Sequence, residues 1–356
     1  MDVGHLIFCT SDGYSNISDG QVYAEEVRLA RLADELGFDV VWSVEHHFDG
    51  YSFVPDNTLL LAHIAGVTSR IDVGTAAIIL PWNDPIRVVE KLSMLDHLSG
   101  GRLRVGFGRG AARMEFAGFR EGSMDESRER FDEAAAIVME ALETGILECD
   151  TPHYKQAATV IRPRPERSFK GRTYSVASGD DSLRTAARLG TRLMMPADKS
   201  WRSRMDGINT YRELYQQTHG EPAPTPLCTD YTLCMADADK VQELARKHMG
   251  EVLDSTWNHY EFKGEHFATT KGYERYADSA AALRSVDREA FLDKVFLGAT
   301  TWGTPDRILE NLKARHDMLG GFEMCTSFRF GGVPIELAEQ SMRLFAAEVL
   351  PVLHTW

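Results

Sequence analysis

Residues 71–110 read IDVGTAAIILPWNDPIRVVEKLSMLDHLSGGRLRVGFGRG and contain one strand–helix–strand unit. The apolar run Val73–Leu80 predicts a strand that ends at Pro81. Asp84-Pro85 is typical of a helix start, because the missing N–H of proline costs nothing at the first helical position, and this helix is predicted to end at Leu98. Leu103–Phe107 then predicts the next strand. Repeated units of this kind imply a parallel sheet.

The same alternation continues along the whole chain. Eight strands are predicted, at Val3–Cys9, Val40–Val44, Val73–Leu80, Leu103–Phe107, Thr173–Ala177, Arg192–Met195, Leu227–Met235 and Phe322–Phe328. Helices are predicted at Gln21–Leu36, Asn57–Ser69, Pro85–Leu98, Asp125–Glu143, Asp181–Leu189, Trp201–Gln217, Ala238–Leu253, Pro305–Leu319 and Ile335–Val349. Eight such units close most naturally into an α/β fold of the TIM (β/α)8 barrel type. A doubly wound open sheet is the rival, but its early G-x-G-x-x-G turn is absent from this sequence.

The chain length is compatible with one domain. At about 150 residues per domain, 356 residues would suggest two, but barrels of about 250 residues fold as one unit and carry insertions. Two segments are longer than plain connections require, namely the polar segment Glu148–Arg172 and residues 253–301. We therefore expect a single barrel domain over residues 1–356, with 253–301 as an insertion before the last strand that forms a lid.

Composition and charge argue against several classes of protein. The chain has 39 Lys and Arg against 53 Asp and Glu, and its net charge of −14 opposes binding to nucleic acids and anionic membranes. No stretch approaches the roughly 18 apolar residues of a membrane span, and the first residues do not resemble a signal peptide. The five cysteines are widely spaced without a CxxC pair, so neither disulfides nor a zinc site is indicated. We expect a soluble cytoplasmic protein.

The first candidate for chemistry is Glu45-His46-His47-Phe48, where the second predicted strand ends. In a barrel this end of the strands is the active-site face, and histidine suits proton transfer near neutral pH. Adjacent residues of a strand point in opposite directions, so only one of the two histidines can face a pocket. The alternative is that one imidazole is a buried structural donor and the other lies at the surface.

Three further segments lie at the ends of predicted strands. Gly74-Thr75-Ala76-Ala77 leaves room for a flat ligand, or packs as an ordinary barrel layer. In Gly106–Gly110, the glycines permit close approach of a ligand and Arg109 suits a phosphate or carboxylate. Ser178–Ser182 is either a plain helix cap or an anion site at a helix N-terminus. Arg128, on the helix after Gly110, is equally compatible with a solvated surface position.

No metal site is predicted. His46 and His47 are adjacent rather than one helical turn apart, and no H-E-x-x-H motif occurs. No G-x-S-x-G elbow is present either, so a hydrolase has little support.

Taken in order, a series of segments resembles the bacterial-luciferase family of flavin-dependent monooxygenases, and in particular its α subunit, over nearly the whole chain. These segments are Glu45–Phe48, Gly74–Ala77, Leu80-Pro81, Pro85–Arg87, Leu95-Asp96, Ser99–Arg102, Gly108–Gly110, Glu126–Arg128, Val176–Gly179, Thr270–Tyr273 and Gly303–Pro305. The resemblance implies a TIM barrel with a mobile lid before its last strand. It also implies reduced FMN that a separate flavin reductase supplies, and that reacts with O2 to a C4a-peroxyflavin. This species would oxygenate a small organic substrate in a pocket that the lid keeps dry.

The resemblance also assigns expected roles to residues. His46 matches the catalytic histidine of the family, and the Ala76–Ala77 bond matches a non-proline cis peptide that supports the flavin ring. The cofactor phosphate would be held by Arg109, Arg128, Ser178, Gly179 and Ser182. Further cofactor contacts are expected from Glu45, Gly108 and Ala177, and substrate contacts from His47, Phe107 and Arg329.

The chain departs from the luciferase pattern at several of these positions. Gly108 stands where the family has a cysteine, Ser178 and Gly179 where it has glutamate and serine, and Arg329 where it has glutamate. These differences argue against light emission and long-chain aldehyde specificity. Arg329 suggests a substrate with an anionic or carbonyl group, or is simply an arginine paired at the surface.

Partners and rival functions follow from the same resemblance. The helices Asn57–Ser69 and Pro85–Leu98 form the dimer interface in the luciferase family, so a homodimer is expected. The same superfamily contains F420-dependent hydride-transfer enzymes, but only Arg109 and Arg128 are available here for a longer, more anionic cofactor tail. A non-catalytic flavin-binding subunit is a third hypothesis, against which the retained His46 and lid segment argue.

Overall fold

Eight parallel strands close into a barrel in the computed structural model, which describes residues 1–119 and 123–356. The barrel strands are β1 (Val3–Ile7), β2 (Val40–Ser43), β3 (Asp72–Thr75), β4 (Leu103–Gly108), β5 (Thr173–Val176), β6 (Arg192–Met195), β7 (Leu227–Cys234) and β8 (Glu323–Ser327). Each strand pairs in parallel with the next, and β8 pairs with β1, with Gly4 opposite Cys325. The predicted TIM barrel and all eight predicted strands are therefore confirmed.

Helices surround the barrel in the predicted order. The longer ones are α1 (Asp19–Leu36), α2 (Asn57–Val67), α3 (Pro85–Leu98), α4 (Ser127–Thr144), α5 (Asp180–Leu189), α6 (Met205–His219), α7 (Ala238–His259), α8 (Pro305–Leu319) and α9 (Ile335–Glu348). The bounds of α3 are those predicted, and the side chain of Asp84 caps it by accepting from the backbone N–H of Ile86. In contrast, α7 continues past the predicted end at Leu253 to His259, which carries its last turn to the candidate site.

The third predicted strand is interrupted. After β3 the Ala76–Ala77 peptide bond is cis, a short strand at Ile78–Ile79 pairs with the end of β4, and a 3-10 turn follows at Leu80–Trp82. Gly74 leaves space for the indole of Trp42, since a Cβ at Gly74 would lie 2.3 Å from that ring. Gly74 thus belongs to the packed barrel layer, whereas Ala76 and Ala77 line a cavity.

The two long connections contain secondary structure of their own. The polar segment predicted as a loop over Glu148–Arg172 begins instead with an antiparallel hairpin, Ile146–Asp150 with Lys155–Val160. Residues 260–300 contain several short helices, and the strand Thr301–Gly303 pairs in parallel with β7. The short elements there are helices at Glu274–Ser285, Arg288–Phe291 and Leu297–Ala299, 3-10 turn His266–Ala268 and π-helical turn Leu292–Phe296.

The remaining short helical elements are Arg113–Gly118, Met124–Glu126, Trp201–Arg204 and Leu350–Leu353. Apolar side chains of the barrel and of the surrounding helices form one main core, in which Trp42, Phe38 and Phe328 are fully buried. Within the described residues, every helix is too short or too polar to cross a lipid bilayer.

Candidate functional site

A cavity of about 680 Å³ opens at the rim where the barrel strands end. Its lining comes from segments far apart in sequence, including His46 after β2, Ala76 and Ala77 after β3, and Arg109 after β4. Parallel strands bring all their carboxyl ends to one rim, which explains why these segments meet. The volume is in the range of cavities that hold cofactors and small substrates.

One end of the cavity is cationic. The Arg109 guanidinium lies 3.7 Å from the centre of the Tyr273 ring and donates to the Gly272 carbonyl at 3.0 Å. Arg128 lies beside it, with Asp132 at 3.8 Å as an ion-pair partner. Burial and the nearby charge of Arg109 lower the pKa of Arg128. The two guanidinium groups repel each other in this half-buried position. An anion bound between them would relieve that repulsion.

The N-terminus of α5 faces the same end of the cavity. The backbone N–H groups of Ser178 and Gly179 both donate to Ser182 Oγ, at 3.2 and 3.1 Å. The Ser178 hydroxyl lies 3.1 Å from the Tyr276 hydroxyl. Ser178, Gly179 and Ser182 line the cavity together with Arg109 and Arg128, so the five residues predicted to hold a phosphate do lie together. Backbone N–H groups and the helix dipole favour an anion there.

Small residues form the middle of the cavity. Ala76, Ala77, Gly108 and Ala177 all line it, and the cis bond predicted by resemblance is present between Ala76 and Ala77. The Asn57 side chain donates to the Ala77 carbonyl at 3.2 Å and fixes this turn. A Cβ at Gly108 would lie 2.7 Å from the end of the Ile79 side chain, so glycine at this position leaves room for that side chain.

The opposite end holds a cluster around the buried Glu115 carboxylate. Glu115 Oε1 lies 3.0 Å from His46 Nδ1, accepts from the His47 backbone N–H at 2.9 Å, and lies 3.6 Å from His259 Nε2. The other imidazole nitrogen of His259 lies 2.8 Å from Asp49 Oδ2. His46 lines the cavity, and its Nε2 lies 3.4 Å from the Tyr260 hydroxyl. A carboxylate at Nδ1 favours the imidazole form that carries its proton there, which leaves Nε2 for the cavity.

The same cluster meets the geometric conditions for a cation site. The ligand atoms of His46, Glu115 and His259 lie within 4.8 Å of one another, so the three side chains could hold a metal ion. The sequence predicted no metal ligand, because His46 and His47 are adjacent and no H-E-x-x-H motif is present. Glu115 follows the rim segment Gly106–Gly110, and this position in the sequence is compatible with a place near the rim. Nothing in the sequence indicated which side chain it would contact.

Of four further residues predicted to contact cofactor or substrate, Glu45 reaches the cavity, whereas His47, Phe107 and Arg329 do not line it. The Glu45 side chain reaches the cavity wall, but its carboxylate accepts from Trp82 Nε1 at 2.7 Å and from the backbone N–H of Ile79 at 3.0 Å. His47 is buried against the Trp82 and Phe119 rings, and Phe107 is buried in the core. Neither of these two residues lines the cavity, so of the two adjacent histidines only His46 faces it.

Arg329 is also placed away from the cavity, against the expectation that it would contact the substrate. It is fully buried, donates to Glu25 at 2.7 Å and to the Thr10 carbonyl at 3.0 Å, and lies 3.7 Å from Glu26. The neighbouring carboxylates neutralise its charge, and its packing between β8 and α1 keeps it from the rim. The alternative, that Arg329 is paired at the surface, is also wrong, because Arg329 is paired inside the protein.

We predict that Glu115→Gln lowers the stability of the protein in a pH-dependent way. Burial alone would raise the pKa of the Glu115 carboxyl, but the charges and hydrogen bonds of the histidines outweigh burial and lower it below its ordinary value. The resulting stabilisation is present above the ordinary pKa of a glutamate and is lost as the pH falls through the lowered pKa. The free energy of unfolding should fall by about 1–3 kcal/mol at pH 7, and the difference from wild type should shrink as the solution is made more acidic.

Urea unfolding at several pH values measures this effect. Glu140→Gln, at an exposed position of α4, is the control and should leave the free energy of unfolding unchanged. A pH-independent loss in Glu115→Gln would mean that the ionised carboxylate contributes nothing.

Comparison with known proteins agrees with this geometry. The family model described as luciferase-like monooxygenase matches residues 1–320. The alkanal monooxygenase alpha chain of Photorhabdus laumondii is 27% identical over 346 residues, which cover 94% of each chain. The crystal structure of monooxygenase RslO1 from Streptomyces bottropensis superposes with a TM-score of 0.81 at 26% identity, over 99% of each chain.

A more distant structure shares the fold. The oxygenating constituent of 3,6-diketocamphane monooxygenase from Pseudomonas putida, solved in complex with FMN, is 16% identical and covers 99% of this chain and 98% of its own. Its TM-score is 0.73. The family model, the relatives and the arrangement of the rim agree, and the chain belongs to the luciferase-like monooxygenase family.

Proposed function

We propose that the protein is a flavin-dependent monooxygenase that uses reduced FMN and O2 to oxygenate a small organic molecule. The observation that carries this proposal is the division of one cavity into a cationic end, at Arg109 and Arg128, and an end that presents His46. A phosphate-bearing cofactor fits the first end, and a proton-transfer group stands at the other. The family membership and the FMN bound to the Pseudomonas putida relative support the same cofactor.

The side chains present fit FMN. Arg109, Arg128 and the loop Ser178–Ser182 would hold its phosphate, because guanidinium groups and helix N-termini are the usual phosphate ligands of proteins. Ala76, Ala77 and Gly108 would form the wall against its flat ring. Reduced FMN, supplied by a separate flavin reductase, provides the electrons with which O2 is activated.

His46 would act on protons at the reacting end of the cavity. Glu115 holds the ring through Nδ1, so Nε2 is the atom that donates or accepts a proton towards bound reactants. The partly buried position of the ring restricts bulk water, which would otherwise compete for protons.

We further infer that residues 253–301 form a lid over the cavity. Tyr260, Gly272 and Tyr276 from this segment line the cavity. The segment is bound to the rim by the Arg109–Gly272 hydrogen bond and by an ion pair between Arg113 and Glu261 at 2.6 Å. The segment also donates from the Tyr273 hydroxyl to the Gly110 carbonyl at 2.7 Å and from the Lys271 backbone N–H to Asp125 at 2.9 Å. Opening of the lid for cofactor entry would therefore require several contacts to break together.

A second candidate is a deazaflavin cofactor of the F420 type. The cavity continues past the phosphate end to Lys199 and Arg204, where a longer anionic tail would lie. Against it, Arg204 is already paired with Asp198 and donates to the Pro196 carbonyl. Dissociation constants for FMN and F420, measured on the same protein, distinguish the two cofactors.

Arg128→Gln is expected to weaken the binding of FMN but not of riboflavin. Loss of one charged hydrogen-bond donor to the phosphate should reduce the binding free energy of FMN by about 1.5–3 kcal/mol. The affinity for riboflavin should not change, because riboflavin has no phosphate. Fluorescence titration with both flavins measures this. Arg130→Gln is the matched control on the same helix, because Arg130 pairs with Glu126 outside the cavity. Equal loss of affinity for both flavins would contradict the assignment of the phosphate end.

His46→Gln is expected to change the fate of O2. When the protein is mixed with reduced FMN and air without a second substrate, the variant should release H2O2 at least about tenfold faster than wild type, since proton control by the imidazole is lost. Flavin absorbance and a peroxide assay follow the reaction in a stopped flow. His153→Gln in the hairpin is the control. If wild type reoxidises FMN no differently from free flavin, the protein is a non-catalytic flavin binder.

We also propose a homodimer formed through α2 and α3. Large apolar side chains on these helices face solvent, with Leu59 73%, Leu98 61% and Met94 50% exposed. Several large apolar side chains exposed on neighbouring helices are typical of an interface. The double variant Leu59→Glu/Leu98→Glu should be monomeric by light scattering at concentrations where wild type is dimeric. Val352→Glu, on another face, should leave the dimer intact, and a monomeric wild type would refute the proposal.

A further inference from the structure

We propose that the His46 end of the cavity binds a neutral, compact aromatic substrate with a hydroxyl or carbonyl oxygen, held by Phe8, Tyr51 and Tyr231. This inference rests on the proposed monooxygenase function, and it names the class of molecule that the same site would oxygenate.

Three rings form a corner at this end of the cavity. Phe8 follows β1, Tyr51 lies in the loop after β2, and Tyr231 is part of β7; all three line the cavity. The Phe8 ring lies 4.9 Å from the Tyr51 ring at 86° and 6.2 Å from the Tyr231 ring at 78°. One face of Tyr51 is stacked on the His259 ring at 4.2 Å and 15°. A flat aromatic molecule would therefore contact the rest of Tyr51 and the surfaces that Phe8 and Tyr231 present to the cavity.

The corner also limits the length of the occupant. Behind the same three rings lies a separate void of about 10 Å³, bounded on its far side by Thr10, Ser255 and other residues of α7 and the rim. Such a void holds about one water molecule. A long alkyl chain that entered beside His46 would therefore meet a closed aromatic wall, whereas a fused-ring molecule would fill the corner.

Charge around the corner selects against anions. Among the described residues, the cationic side chains that line the cavity are Arg109, Arg128, Lys199 and Arg204, and all follow β4 or β6 or lie on α4. The corner is built from β1, β2 and β7. Of the acidic residues in the lining, Glu115 contacts His46 beside the corner, whereas Asp230 is already paired with Arg315 at 2.7 Å. An anionic substrate would be buried there without a cation to compensate its charge.

One polar group in the corner is available to a ligand. The Tyr51 hydroxyl already bonds to Thr256 and Tyr260, and the Tyr260 hydroxyl lies next to His46. The Tyr231 hydroxyl forms no hydrogen bond to any described residue, although its side chain reaches the cavity. Burial raises the pKa of Tyr231, so the hydroxyl stays protonated and can donate to a phenol or carbonyl oxygen.

Ligand binding to the FMN-saturated protein tests this proposal. The probes are 2-naphthol, naphthalene, 2-naphthoate and decanal, and calorimetry or tyrosine fluorescence gives each dissociation constant. We expect 2-naphthol to bind at least about tenfold more tightly than 2-naphthoate or decanal. Tyr231→Phe should weaken 2-naphthol about tenfold and leave naphthalene unchanged, which corresponds to the loss of one hydrogen bond. Phe8→Leu should weaken both naphthalene and 2-naphthol.

Two controls make the result specific. Tyr154→Phe, in the hairpin outside the cavity, should change no constant, and the FMN affinity of Tyr231→Phe should equal that of wild type. Tighter binding of decanal or 2-naphthoate than of 2-naphthol, or equal effects of Tyr231→Phe on naphthalene and 2-naphthol, would overturn the proposal. Failure of the monooxygenase function is recognised separately, because flavin reoxidation is measured without any of these probes.

Discussion

Closure of the parallel sheet is the constraint on which the rest of the molecule depends. Because β8 pairs with β1, the ring of eight barrel strands is closed, and all eight carboxyl ends meet at one rim. Segments more than 200 residues apart in sequence, such as those carrying His46 and Tyr260, are thereby held side by side. The packing of Trp42 over Gly74 shows how the barrel interior is filled below that rim, so that ligands can occupy only the space above it.

Charged side chains are unevenly distributed around the rim. Cations and a helix N-terminus collect at one end of the cavity, whereas a carboxylate, imidazoles and aromatic rings collect at the other. Glu115 is central to the second end, because a single carboxylate oxygen contacts His46, the backbone of His47 and, at longer range, His259. This arrangement fixes which nitrogen of His46 is directed into the cavity.

Sequence patterns predicted the strands and most helices because the period of apolar residues reflects burial directly. The end of α7 was predicted six residues early. The residues after Leu253 are mostly polar and do not continue the apolar period, although tertiary contacts extend the helix through them. The hairpin at Ile146–Val160 was missed because its strands are largely exposed and lack an apolar face. For the candidate site, the five residues predicted to hold a phosphate line one cavity, but Arg329 and Phe107 were expected at the cavity and are both buried elsewhere.

By itself the sequence determined the barrel, the order of its strands and the segments that reach its rim, because hydrophobic period and turn residues act locally. It also determined, through resemblance, that Ala76–Ala77 would be cis. Only the tertiary structure decided which side chains meet: Glu115 with His46 and His259, Arg329 with Glu25, and Phe8 with Tyr51 and Tyr231. The reason is geometric, since strand tilt, loop path and rotamer set the direction of a side chain, and none of these is a property of spacing along the chain.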